Sequence, residues 1–139
     1  MRKIMAFSLL IFSMSAWAAP YCPQLRGTFN CRANPPFALT IAEQLDQPVP
    51  AYMMTDPTGS HTFVLDNQFH PMTFSSGAGQ YRAWCDSRSL MMEVHSPSGA
   101  IAHDRYYIER GGLVRVRIGS QHAESLSCAP TQGTWRLYR

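Results

Sequence analysis

Four cysteines are the residues of this chain with the clearest chemistry. Cys22, Cys31, Cys85 and Cys128 are even in number and all follow an apolar N-terminal segment. In an exported chain this predicts two disulfide bonds. Three pairings are possible and the spacing does not choose among them, although we favour Cys22 with Cys31 and Cys85 with Cys128. The irregular spacing, without a C-x-x-C motif, argues against a zinc site or a redox-active pair.

Histidine and methionine are the other potential metal ligands. The histidines form no H-x-x-H or H-E-x-x-H motif. Copper binding is an alternative, because His70-Pro71-Met72 and the doublets Met53-Met54 and Met91-Met92 supply imidazole and thioether groups. Methionine more often fills irregular apolar space. We therefore predict no metal and no cofactor.

No local arrangement of residues indicates catalysis. His103-Asp104-Arg105 places an acid beside a base, but neighbours on a strand point to opposite faces of the sheet. A G-x-S-x-G nucleophile motif is absent, and Ser96-Pro97-Ser98-Gly99 has the pattern of a turn. We predict that the protein is not an enzyme, with a hydrolase as a less favoured alternative.

The N-terminus has the three parts of a signal peptide. Met1-Arg2-Lys3 is positive, and the run from Ile4 to Ser15 is apolar. Ala16-Trp17-Ala18 has small residues at its first and third positions, which is the pattern of a cleavage site. We predict a signal peptide at 1–18, a single domain at 19–139, and a location in the bacterial periplasm or outside the cell. The apolar run is too short to span a bilayer. No membrane insertion is expected once the leader is removed.

The formal charge of the predicted domain limits the kinds of partner that it is expected to bind. The chain has 12 basic and 9 acidic residues, and loss of Arg2 and Lys3 with the leader leaves a nearly balanced domain. This balance gives no reason to expect a nucleic-acid partner. We expect a monomer that binds a small ligand or another protein.

The segments after the leader are short, alternate apolar with polar residues and end at turn residues, which is typical of antiparallel β-structure. The clearest hairpin pairs Cys85 with Leu90 and Arg82 with Glu93. A second hairpin is predicted to turn at Gly111-Gly112. We expect a flexible loop at 75–79, a possible short helix within 120–128 and a last strand at 133–139.

About eight to ten short strands in one small domain must cover their edges, and closing the sheet does so most completely. We predict an all-β, disulfide-stabilised, antiparallel meandering β-barrel. A two-layer β-sandwich is the alternative.

One face of the second hairpin carries the main candidate binding residues, Tyr106, Arg115 and Arg117. Tyrosine and arginine are enriched where binding energy concentrates. If this face points outward, it predicts a contact surface for a protein or glycan. If it points inward, it would line a polar ligand cavity, and the sequence leaves both possibilities open.

Gly27-Thr28-Phe29 near the start and Thr134-Trp135-Arg136 near the end give the chain a resemblance to the lipocalin and avidin-like (calycin) barrels. The resemblance implies a barrel that takes up a small ligand. We therefore expect an exported, non-catalytic binding protein of the bacterial cell envelope.

The segment Ser76-Gly77-Ala78-Gly79-Gln80-Tyr81 is similar to the Ser-Gly-x-x-Tyr loop of periplasmic inhibitors of c-type lysozyme, but is one residue longer. This second resemblance implies an alternative function as an inhibitor or protein-interaction module. In that case Ser76 and Tyr81 would lie on a loop that is presented to the target.

Overall fold

The computed structural model describes Cys22 and residues 25–44, 48–119 and 122–131. The predicted leader at 1–18 and the strand predicted at 133–139 lie outside these residues. No helix among the described residues is long and apolar enough to cross a membrane. The described chain forms ten strands: β1 (Gly27–Cys31), β2 (Phe37–Gln44), β3 (Ala51–Asp56), β4 (Gly59–Val64), β5 (His70–Phe74), β6 (Gly77–Asp86), β7 (Ser89–His95), β8 (Ile101–Glu109), β9 (Gly112–Gly119) and β10 (Ala123–Pro130).

The ten strands belong to one antiparallel sheet, in the order β4-β3-β2-β1-β10-β9-β8-β7-β6-β5. Strand β1 pairs with β10, and every other neighbouring pair is consecutive in the chain. The sheet curls until its two edge strands approach each other, which gives a nearly closed barrel. The predicted antiparallel barrel is therefore confirmed, and the sandwich alternative is wrong.

The first predicted hairpin, β6 with β7, has the register expected from its sequence. Cys85 lies opposite Leu90, and Arg82 lies opposite Glu93. The Arg82 guanidinium donates a hydrogen bond to the Glu93 carboxylate on the outer face. The inner face of this hairpin packs into the core, since Leu90 is fully buried.

The second hairpin, β8 with β9, turns one residue earlier than predicted. Arg110 and Gly111 form the two-residue turn, with φ of 51° and 78°. Gly112 is instead the first residue of β9, where an added Cβ would lie 2.9 Å from the carbonyl oxygen of Cys128. Glycine is thus needed at position 112 because β10 lies so close. Since the turn comes one residue earlier, the residues paired between β8 and β9 are shifted by two relative to the prediction. An even shift leaves every side chain on its predicted face.

The helix considered within 120–128 does not form in the described residues. Residues 123–130 are strand β10, which fills the position between β9 and β1. Along this strand exposed and buried residues alternate: Ser125 is exposed, Leu126 is buried, Ser127 is exposed and Cys128 is buried. This alternation has the period of a strand and not that of a helix.

Two disulfides join the four cysteines, as predicted, but the favoured pairing is wrong. Cys22 is bonded to Cys85, and Cys31 is bonded to Cys128. Cys31 lies directly opposite Cys128 because β1 and β10 are neighbours in the sheet. That neighbour relationship is a property of the closed topology and cannot be read from sequence spacing.

The two ends of the barrel differ. At one end, which we call the closed end, Cys22 and Leu25 of the segment before β1 are both fully buried. The hydroxyl of Tyr52 donates a hydrogen bond to the Cys22 carbonyl oxygen at 2.6 Å. The other end, which we call the open end, carries the β1–β2, β3–β4, β5–β6, β7–β8 and β9–β10 turns.

Candidate functional site

The candidate face of the second hairpin points into the barrel. Tyr106 lies opposite Arg115, and Asp104 lies opposite Arg117. Tyr106 and Asp104 are 7% and 1% exposed. The structure thus brings Tyr106, Arg115 and Arg117 together on the inner wall, which is the arrangement that the ligand-cavity interpretation requires.

Asp104 and Arg117 form a two-pronged ion pair on this wall. Arg117 Nε donates to Asp104 Oδ1 at 2.7 Å, and Nη2 donates to Oδ2 at 2.6 Å. Such paired, charge-assisted hydrogen bonds fix both planar groups in one orientation. The hydrogen bond to Asp104 raises the pKa of Arg117 above its usual value. Arg117 keeps 38% of its side chain exposed, so the pair links the core to the space at the open end.

Tyr106 is held neutral beneath this pair. Burial raises the pKa of Tyr106 to about 12, and the nearby Asp104 carboxylate acts in the same direction. Arg115 is held less tightly, with its Nη2 3.4 Å from Glu124 Oε1. The buried Nε of Arg115 has no hydrogen-bond partner among the described residues.

A cavity of about 450 Å³ lies at the open end, next to these polar groups. We call it the mouth cavity. Its apolar wall includes Phe74, Val94, Ile101 and Ala102, and its polar wall includes Arg117, His122 and Glu124. It can therefore hold an apolar molecule whose polar group meets a donor and an acceptor at one wall.

The apolar wall depends on a close approach at Gly79. A Cβ added there would lie 2.5 Å from the ring of Phe74 and 2.3 Å from the carbonyl oxygen of His95. Only glycine leaves room for this packing, which holds the Phe74 ring beside the cavity. The flexible loop predicted at 75–79 is therefore wrong, because β5 and β6 are joined by the short turn at Ser75 and Ser76.

Ser76 and Tyr81 do not form the contact loop implied by the likeness to lysozyme inhibitors. Ser76 is exposed in the β5–β6 turn at the open end. Tyr81 is 5% exposed and packs inside the barrel at the middle of β6. The alternating pattern of β6 continues through Gly79, and so the segment forms a strand where that function needs a protruding loop.

Two charged members of the site were missed at the level of sequence. Asp104 shares a predicted face with Tyr106 but is not among the predicted site residues, and Glu124 falls in the segment where a short helix is considered. The signal for Asp104 was present, since it shares the alternation of Tyr106 in β8. Among the described parts of the chain, no three His, Cys, Asp or Glu side chains come together as metal ligands.

No model of a known protein family matches this chain, and no curated protein matches it. Solved structures do share its fold. Fatty-acid-binding protein 1 of Echinococcus granulosus aligns with a TM-score of 0.61 at 7% identity, over 77% of this chain and 97% of that one. A secretory abundant heat soluble protein of Ramazzottius varieornatus aligns with a TM-score of 0.58 at 18% identity, over 69% of this chain and 72% of that one.

The fatty-acid-binding protein of Manduca sexta also aligns, with a TM-score of 0.50 at 13% identity, over 66% of this chain and 71% of that one. At such identities the likeness shows the fold alone. The fold is that of the calycin-like barrels, which confirms the architectural resemblance expected from the sequence. Two of these neighbours are named as fatty-acid-binding proteins.

Proposed function

We propose that the protein is an exported, non-catalytic barrel that binds one small, mainly apolar ligand in the mouth cavity. The observation that carries the proposal is the cavity itself, about 450 Å³ between an apolar wall and the polar groups at Arg117. Pockets for small ligands have volumes of roughly 300–1,000 Å³ and combine an apolar lining with a few polar groups.

The fold neighbours support the same function. Two of them are named for binding fatty acids, which are long apolar molecules with one polar end. An amphiphile of this general shape would place its chain against Phe74, Val94 and Ala102 and its polar end near Arg117.

The state of the polar residues favours binding over catalysis. Both oxygens of Asp104 accept hydrogen bonds from Arg117, which leaves this carboxylate poorly placed to act as a base or nucleophile. Burial raises the pKa of Tyr106 to about 12, so this phenol gives up its proton less readily than an ordinary tyrosine.

Export to a bacterial periplasm or to the outside of the cell is part of the proposal. It is supported by the leader pattern at 1–18 and by the two disulfides, because disulfides persist in oxidising compartments. We also propose that the secreted part acts as a single-domain monomer.

Titration with Nile red, an uncharged dye that fluoresces in apolar surroundings, tests the proposed function. We expect saturable binding at one site. Ala102→Phe should abolish it by filling the cavity, whereas Ala123→Phe on the exposed face of β10 should bind as the native protein does. Unsaturable fluorescence, or equal binding by both variants, would contradict the proposed site.

Native mass spectrometry of protein isolated from its own host gives a second test. A retained small molecule is expected and should be absent from the Ala102→Phe variant. A complex with another protein, with no retained small molecule, would favour the interaction module instead.

A further inference from the structure

We propose that the mouth cavity selects ligands whose polar group is uncharged, and that it discriminates against the matching carboxylate. This inference rests on the proposed function and adds the charge class of the ligand. It follows from what Arg117 already binds.

Asp104 already binds one pair of donors on Arg117 and balances the charge of its guanidinium. A carboxylate binds arginine best when its two oxygens meet two parallel N–H groups. In this barrel, Nε and Nη2 of Arg117 already make those bonds to the two oxygens of Asp104. An incoming carboxylate would therefore meet only the remaining N–H groups, on Nη1 and the second hydrogen of Nη2, and Asp104 already balances the charge of this guanidinium.

Asp104 cannot move aside without penalty. It is 1% exposed, and removing Arg117 from it would leave a buried charge without a partner. Such a buried charge is far less favourable than one that can turn toward water. The ion pair is thus a fixed part of the wall and not a binding site awaiting an anion.

The remaining charges near the cavity also balance. Arg115 is paired with Glu124, and the Glu124 side chain is 59% exposed. Apart from the exposed imidazole of His122, the ionisable groups at this wall are therefore two arginines and two carboxylates, whose formal charges cancel.

The polar wall of the mouth cavity offers a ligand both hydrogen-bond donors and hydrogen-bond acceptors. Arg117 lines the cavity, and its third nitrogen, Nη1, makes no hydrogen bond to the described residues. Glu124 lines the same cavity and supplies acceptor oxygens. A hydroxyl or primary amide can accept from the first and donate to the second. A carboxylate can only accept, and it would be repelled by Glu124.

A panel of four ligands with the same alkyl chain tests this inference at neutral pH: 1-decanol, decanamide, decanoate and decylammonium. Each would compete with Nile red on the full secreted protein, with isothermal titration as a direct measurement. We expect decanol and decanamide to bind at least about tenfold more tightly than either charged ligand. Equal or tighter binding of decanoate would overturn the inference while leaving the proposed function standing.

Failure of all four ligands to displace bound dye would also overturn the inference. Failure of the dye and of all four ligands to bind would overturn the proposed function itself. The two failures are therefore distinguishable within one set of measurements.

Asp104→Asn tests the cause of the selectivity. This variant keeps the shape of the side chain but leaves the charge of Arg117 uncompensated. We expect its decanoate affinity to rise about tenfold and its decanol affinity to change much less. Asp86→Asn, at the exposed end of β6, is the matched control and should retain the native preference. If Asp104→Asn does not fold, as judged by circular dichroism, the native panel still decides the question.

Discussion

The hydroxyl of Tyr81 lies 3.0 Å from the backbone nitrogen of Val64 and accepts a hydrogen bond from it. The same hydroxyl donates to the carbonyl oxygen of Thr62 at 3.3 Å. Both backbone groups belong to β4, an edge strand of the sheet, whereas Tyr81 belongs to β6. One side chain thus satisfies a donor and an acceptor at the seam between β4 and β5, where the described residues form no ladder.

Tyr81→Phe should weaken this seam. We expect a loss of about 1–2 kcal/mol in the free energy of unfolding, because two part-buried backbone groups lose a partner. Hydrogen exchange at the Val64 amide should become faster. Tyr107→Phe, on the outer face of β8, is the control and should change both measurements little; equal effects would show that the seam does not depend on the Tyr81 hydroxyl.

Acid should weaken the connection between β4 and β5. Burial alone would raise the pKa of Asp66, but hydrogen bonds from His70 and from the Gln68 amide lower it below 3.8 overall. A lowered folded-state pKa means that the stabilisation is present above that ordinary value and is lost as pH falls through the folded value. We expect Asp66→Asn to reduce the fall in melting temperature between neutral pH and pH values below 3.8. An unchanged acid profile would show that this carboxylate does not contribute.

Arg117→Ala should destabilise the protein, since it leaves Asp104 buried without its ion-pair partner. We expect a loss of about 2–3 kcal/mol, below the range for fully buried pairs because Arg117 is part exposed. Replacing both partners, by Asp104→Leu with Arg117→Met, should recover much of this loss. Denaturant unfolding of the two variants measures the difference; a double variant less stable than the single one would contradict the expectation.

Alkaline titration should reveal Tyr106 as a late-ionising phenol. Burial raises its pKa from 10.0 to about 12, so the folded state favours the neutral form. The resulting stabilisation is complete below pH 10.0 and is lost as pH rises toward about 12. Near-ultraviolet tyrosinate absorbance should show a late phase that is smaller in Tyr106→Phe, while Tyr81, whose pKa burial also raises, still contributes to it. Identical titration curves would refute the assignment.

Peptide mapping of the unreduced protein should recover Cys22 linked to Cys85 and Cys31 linked to Cys128. Replacing either pair with serine should lower the free energy of unfolding by about 2–5 kcal/mol. Thermal unfolding of the two double variants measures these losses. Recovery of Cys22 linked to Cys31 would contradict the described topology.

Alternation along the chain was sufficient to predict most of the strands and the register of the Cys85–Leu90 hairpin, and the need to cover strand edges predicted the barrel. It could not decide which face of β8 and β9 is inside. The outer face carries the more apolar residues, and Ile118 there is 57% exposed. The inner face carries Asp104, Arg115 and Arg117, because it borders a cavity as well as a packed core. A prediction from hydrophobicity alone would therefore have placed the outer face of β8 and β9 inside the barrel and the inner face outside.

The Cys31–Cys128 disulfide turns most of the barrel into a covalent ring. Residues 31–128 are enclosed by this bond, and the ring contains every turn from β1–β2 to β9–β10. Exposed turns are where proteases nick folded proteins. A single cut in any of these turns would open the ring without releasing a fragment, so that both pieces remain tethered by sulfur and by the intact strand ladders. In an environment rich in proteases, the nicked molecule would keep the walls of its cavity in place.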